Sequence, residues 1–203
     1  NVFVHSCTSS GYGGSGGGIY VANSDAALVD AVIVSNCTAQ CEDSCGTALA
    51  MYGGTVRNSL FVCQRPPSVA NYVTPMGTVA VRGGTLANCT VARNTSSLCA
   101  GIYATGGRVV NCLVSENEST NENPTYGVYA CDALLLNSTF VNCLGEVEKI
   151  NDTCVTGDPL FTDAAAGNYR IRVPSPARNA GTGAYGLSAT DLDGNRRLYG
   201  RAV

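Results

Sequence analysis

Arg93 and Glu116 are the residues of this 203-residue chain most able to do acid–base chemistry, because they occupy the same point in two successive copies of a recurring phrase. If the chain folds back at that period they stand side by side, with Ser35, Cys63 and Asn142 in the same outward column. Elimination needs a base, commonly Arg or Lys, beside carboxylates; hydrolysis of a glycosidic bond needs two paired carboxylic acids. One Arg beside one Glu is also an ordinary solvated ion pair, which is the plainer reading. No Asp pair recurs at one column of neighbouring repeats, and the sole histidine, His5, sits in an incomplete first repeat.

Two further sets bear on binding. Asp191, Asp193 and Asn195 alternate around Gly194 like half of a calcium loop, but the spaced downstream Glu is missing and Asp-Gly-Asn is also turn chemistry. The expectation is no cofactor, with calcium the one left open. Tyr20, Tyr103 and Tyr129 share an outward column interrupted by Ala50 and Ala80, and Tyr103 and Tyr129 fall on adjacent repeats. Stacked rings there would make a platform for a sugar or another protein; packing beneath a loop is the alternative.

Eleven cysteines in so short a chain point to an oxidising compartment, and the odd count leaves at least one thiol free or paired elsewhere. Candidate bridges are Cys41 with Cys45, Cys143 with Cys154, and Cys7 with Cys37, although spacing does not fix connectivity. Cys37, Cys41 and Cys45 do not form a two-plus-two zinc pattern. Cys89 and Cys112 follow directly on asparagines, in a slot otherwise filled by Ala31, Ser59 and Ser138, and read as buried small side chains.

Those asparagines mark a repeat. Thr55-Val56-Arg57-Asn58-Ser59 returns as Thr85-Leu86-Ala87-Asn88-Cys89, Arg108-Val109-Val110-Asn111-Cys112 and Leu134-Leu135-Leu136-Asn137-Ser138, with an Asp-bearing copy at Ala27-Leu28-Val29-Asp30-Ala31. The markers Asp30, Asn58, Asn88, Asn111 and Asn137 lie 28, 30, 23 and 26 positions apart, a period in the range of solenoid repeats. Two apolar runs flank each marker and a third precedes it, all with the alternation of strands. Glycine pairs at Gly53-Gly54, Gly83-Gly84 and Gly106-Gly107 let the chain turn into each marker phrase.

Three short strands per repeat, stacked copy on copy, describe an all-β fold: a right-handed parallel β-helix of five to six rungs followed by an irregular carboxy-terminal segment. One inward ladder is expected to hold Ile19, Leu49, Val79, Ile102 and Val128, another Ile33, Phe61, Val91, Val114 and Phe140. The marker residues should form an inward amide ladder, bonding backbone groups of neighbouring rungs at the bend. Residues 1–157 are read as rungs and 158–203 as a capping-like, incomplete segment of the same domain. Of the sequons at Asn36, Asn88, Asn94, Asn117, Asn137 and Asn151, those at Asn88 and Asn137 are by-products of the repeat.

Composition narrows the function classes. Net charge is −3 and the basic residues are scattered apart from Arg196-Arg197, so no stripe exists to neutralise a phosphate backbone. No apolar run approaches the length of a membrane span, and no signal peptide is evident. The chain starts within a strand, which reads as a processed or excised piece of a longer protein.

From Gly157 the style changes. The series Gly157-Asp158-Pro159-Leu160-Phe161, Gly167-Asn168-Tyr169-Arg170, Ser175-Pro176-Ala177-Arg178-Asn179 and Asp191-Leu192-Asp193-Gly194-Asn195 follows the Asn-Cys rungs. Together they resemble the carboxy-terminal region of bacterial secreted right-handed parallel β-helix proteins of the pectate-lyase-like superfamily, of the type joined to a cell-surface anchor. The resemblance implies an extracellular or cell-surface location and a polysaccharide or surface-protein partner. It includes lyases and hydrolases, yet no acid–base pair is visible on these rungs. The expectation is a non-catalytic structural, adhesive or glycan-binding module, able to associate head to tail into fibres. The alternative is a piece of a polysaccharide lyase or glycoside hydrolase whose catalytic rungs lie before Asn1.

Overall fold

The structure, a computed structural model, describes residues 1–10, 15–40, 46–64, 77–96, 99–119, 133–135, 139–141, 144–145, 157–181 and 188–197. Among these every element is a β-strand, and the sheets of the repeat region are parallel throughout. One sheet stacks Val2–His5, Val32–Ser35, Leu60–Val62, Thr90–Ala92, Leu113–Ser115 and Leu144–Gly145, one strand from each successive repeat. A second stacks Ile19–Val21, Leu49–Arg57, Val79–Ala87, Ile102–Ala104 and Ala133–Leu135, and beside them Leu28–Asp30, Arg108–Val110 and Thr139–Val141. Two small sheets pair Thr8–Ser10 with Thr38–Gln40 and Thr95–Ser96 with Glu118–Ser119. These last strands are polar, so the apolar pattern gave no sign of them.

Register shows which expected columns exist. Ile19, Leu49, Val79 and Ile102 stack as expected, and Ala133 stands next to Ile102; Val128 lies outside the described residues. In the other ladder Val34, not Ile33, stacks with Phe61, Val91 and Val114. The alternation places Val34 in the core while Ile33 faces outward beside Leu60. Phe140 stands opposite Val109 in the second sheet, so the fifth copy is displaced from the alignment drawn through Asn137, which itself lies outside the described residues. The two-residue period of a strand makes a one-residue slip decisive.

The same correction applies to Asp30. It lies opposite Arg57, whose Nε and Nη2 both reach its Oδ2 at 2.8 Å, and Ala31 occupies the bend instead. Ala31, Asn58, Asn88 and Asn111 all have φ between 52° and 56°. Asparagine recurs there because it tolerates the left-handed conformation better than other side chains. A second bend column, Ser6, Asn36, Cys63, Arg93 and Glu116, has φ between 52° and 56° as well, with Asn36 in the place expected of Ser35.

At several bends the next residue donates from its side chain to the carbonyl two positions back. Ser59 Oγ reaches Arg57 O at 2.6 Å, Cys89 Sγ reaches Ala87 O at 3.2 Å, and Cys112 Sγ reaches Val110 O at 3.3 Å. At the second bend Cys37 Sγ donates to Ser35 O at 3.4 Å, and Gln64 Nε2 to Val62 O at 3.0 Å. These donors satisfy carbonyls that the bend takes out of the ladder.

The marker asparagines make one amide bond between neighbouring copies, Asn111 Nδ2 to Asn88 Oδ1 at 3.2 Å, and a longer, enclosed amide ladder runs through this second column. Gln64 Oε1 accepts from Cys37 N at 2.6 Å while its Nε2 donates to Val34 O at 2.8 Å. Asn94 Oδ1 accepts from Gln64 N, and Asn94 Nδ2 donates to Phe61 O and to Asn117 Oδ1. Asn117 Nδ2 continues to Val91 O. Gln64 and Asn94 are fully enclosed, so each bond is made away from water.

Glycine is required where corners stack most closely. A Cβ on Gly84, at φ 81°, would stand 2.4 Å from Gly54 O. A larger residue would push the stacked strands apart.

The segment from Gly157 lies along the outer face of the first sheet. Phe161–Asp163 and Asn168–Ile171 form an antiparallel hairpin whose Phe161, Tyr169 and Ile171 pack on Leu60, Val62, Ala92 and Leu113. Phe161 and Tyr169 meet edge to face at 5.4 Å. This apolar contact fixes the segment against the first sheet.

Candidate functional site

Between the hairpin segment and the bend column lies a cleft of about 330 Å³. Its rung side is made by Ile33, Asn58, Ser59, Leu60, Asn88 and Thr90, and its other side by Tyr169, Arg170, Asp191, Leu192, Asp193 and Arg197. The strand periodicity that turns Leu60 and Thr90 outward, and the bends that present Asn58 and Asn88, build one wall. The hairpin's packing on Val62 and Ala92 positions the other.

Charge in the cleft is internally balanced. Arg170 grips Asp193 with two bonds, Nε to Oδ2 at 2.8 Å and Nη2 to Oδ1 at 2.7 Å. Asp191 Oδ1 accepts from the backbone N–H groups of Asp193 and Asn195, at 2.9 and 2.8 Å, and its Oδ2 accepts from Asn195 Nδ2 at 3.2 Å. Asp191, Asp193 and Asn195 are thus brought together as a self-bonded turn; among the described residues no group of three or more His, Cys, Asp or Glu side chains is placed to hold a metal ion.

Arg197 closes the inner end. It donates from Nη2 to Asn58 Oδ1, and burial lowers its pKa against the opposing pull of Asp191, Cys89 and Asp30. Arg197 Nε, Asn88 Nδ2 and Asp30 Oδ1 are buried without a hydrogen-bond partner. Each such group costs about 1–3 kcal/mol, so this corner holds unused bonding capacity. Sequence reasoning missed Arg197, Asn88 and Tyr169 as site residues; the fold brings Arg197 next to Asn58 across 139 positions.

Tyr169 is half-buried, and its hydroxyl lies 3.6 Å from Cys63 Sγ. Burial first, then the bond to Cys63, raises its pKa, so the phenol stays protonated.

The other expected sites fall elsewhere. Arg93 and Glu116 do stand together, Nε to Oε2 at 3.7 Å, but with side chains 37% and 48% exposed they form a solvated pair. Tyr20, Ala50, Ala80 and Tyr103 share a column, with Leu134 next to Tyr103; Tyr129 lies outside the described residues. Tyr20 instead meets Tyr52 at 5.5 Å, and Arg82 lies over the Tyr52 ring at 5.7 Å. Cys7 and Cys37 are free thiols and make no bridge, and Cys63 and Cys89 are free thiols as well. Cys41, Cys45, Cys143 and Cys154 lie outside the described residues. Asn94 is enclosed in the ladder, which removes its sequon from the surface, whereas Asn36 is exposed.

Compared with known proteins, the chain matches no family model, no curated protein and no solved structure.

Proposed function

We propose that the chain is a right-handed parallel β-helix of the extracellular or cell-surface type, with residues 1–157 as rungs and 158–203 as an accessory segment of the same domain. Its role is non-catalytic: structural, adhesive or glycan-binding. The parallel pairing of successive repeats and the two left-handed bend columns support the architecture. The observation that carries the role is the state of the cleft's carboxylates. Asp193 is gripped by Arg170 and Asp191 by its own turn, so among the described residues the cleft holds no free carboxylate.

Incubation with uronate-rich glycans, with and without calcium, tests this by absorbance of unsaturated products. No product is expected. Turnover abolished by Arg93→Ala would establish the lyase reading instead.

Self-association belongs to the same proposal. Val2, Phe3, Tyr20 and Leu28 are exposed on the strands Val2–His5, Ile19–Val21 and Leu28–Asp30, an apolar surface that a second copy can cover. Negative-stain microscopy should show end-to-end association, and a concentration-independent monomer would remove this part.

A further inference from the structure

We propose that the cleft beside Asn88 and Tyr169 binds a neutral sugar; this rests on the glycan-binding reading and gives it a place and a ligand class. The volume of about 330 Å³ matches small-ligand sites. Planar hydrogen-bonding groups, the amides of Asn58 and Asn88 and the guanidinium of Arg197, alternate with the apolar surfaces of Ile33, Leu60, Leu192 and the Tyr169 ring. A pyranose has the same two-part surface, hydroxyls around its rim and C–H groups on its faces.

Neutrality of the ligand follows from the charge balance. The cleft's lining carries two guanidiniums and two carboxylates: Arg170 holds both oxygens of Asp193, and Arg197 lies within the field of Asp191. An acidic sugar would meet as many carboxylates as guanidiniums in the lining, whereas a hydroxyl can donate to and accept from groups already held in place.

The test is a chemical-shift titration of the full chain with a panel of neutral di- to tetrasaccharides of glucose, galactose, mannose, N-acetylglucosamine and rhamnose, and with the glucuronate and galacturonate counterparts. At least one neutral member should shift Asn88, Thr90, Tyr169 and Leu192 saturably, and its acidic counterpart should bind no more tightly. Thr90→Trp, which fills the cleft, and Leu192→Trp, on the opposite loop, should each weaken binding about tenfold or more while retaining native shift dispersion elsewhere. The assignment is overturned by no binding across the neutral panel, by tighter binding of the uronates, or by full affinity in a folded Trp variant. None of these outcomes involves turnover, which alone decides the non-catalytic reading.

Discussion

Arg197 occupies the side-chain oxygen of Asn58, while one repeat further on Asn111 Nδ2 donates to Asn88 Oδ1 at 3.2 Å. The equivalent bond from Asn88 to Asn58 is not made, and Asn88 Nδ2 has no partner. The carboxy-terminal segment is thus fastened to the bend column by a contact that interrupts an amide chain. Arg197→Ala should release residues 188–197, seen as faster amide exchange at Asn195 and Arg197, and cost global stability no more than about 1.5 kcal/mol because Asn58 and Asn88 regain each other. A larger loss in denaturant unfolding would show that Arg197 holds the fold as well as the segment.

The interior ladder predicts a much larger effect. Gln64→Ala leaves Cys37 N, Val34 O and the carbonyl of Val62 without their partner, and should cost about 2–5 kcal/mol in urea unfolding. Arg93→Ala breaks only a solvated pair and should stay within about 0.5 kcal/mol. Equal costs for the two would contradict the division between enclosed ladder and exposed pair.

The cysteine slots were legible as small but not as donors. Periodicity identified the apolar columns through Ile19, Leu49, Val79 and Ile102, because strand alternation and burial coincide there. It misplaced Asp30 and Ile33 by one position each, since the first copy has Ala31 where others have Asn and nothing local marks the shift. The Gln64–Asn94–Asn117 ladder was invisible because Cys37 and Gln64 share no chemistry until both are seen bonding the carbonyl two residues back. The cleft was hidden for a different reason: Arg197 and Asn58 meet only through packing of the hairpin on Val62 and Ala92. Cys89→Ser keeps a donor for Ala87 O and should be about 1 kcal/mol more stable than Cys89→Ala by thermal unfolding. The opposite order would return Cys89 to the role of a plain small hydrophobe.

Thiol reactivity should follow position. Cys63 is exposed, whereas Cys37, Cys89, Cys99 and Cys112 are buried. Peptide mapping after brief alkylation of the native protein should find Cys63 modified and those four protected until unfolding. Disulfide-linked peptides joining Cys7 to Cys37 would contradict the free state of both.

Burial raises the pKa of Cys37 and, more strongly, of Cys89 above the ordinary thiol value of 9.0. A raised folded-state value means full stability below the unfolded value and progressive loss as pH climbs from there towards the folded one. Tyr169, raised in the same direction, adds to the loss above 10.0. The denaturation midpoint should therefore hold up to about pH 8.5 and fall beyond it, and Cys89→Ser should flatten that fall. A midpoint unchanged up to pH 10.5 would contradict the burial of these groups.

The central claim is a stack of parallel rungs whose lateral cleft holds a sugar without altering it. Calorimetric titration with the best-binding member of the neutral panel, followed by mass analysis of the sugar recovered from the same cell after prolonged incubation, tests it most directly. Saturable heat with the sugar recovered intact is the predicted result. Recovery of shortened or unsaturated sugar would contradict the account.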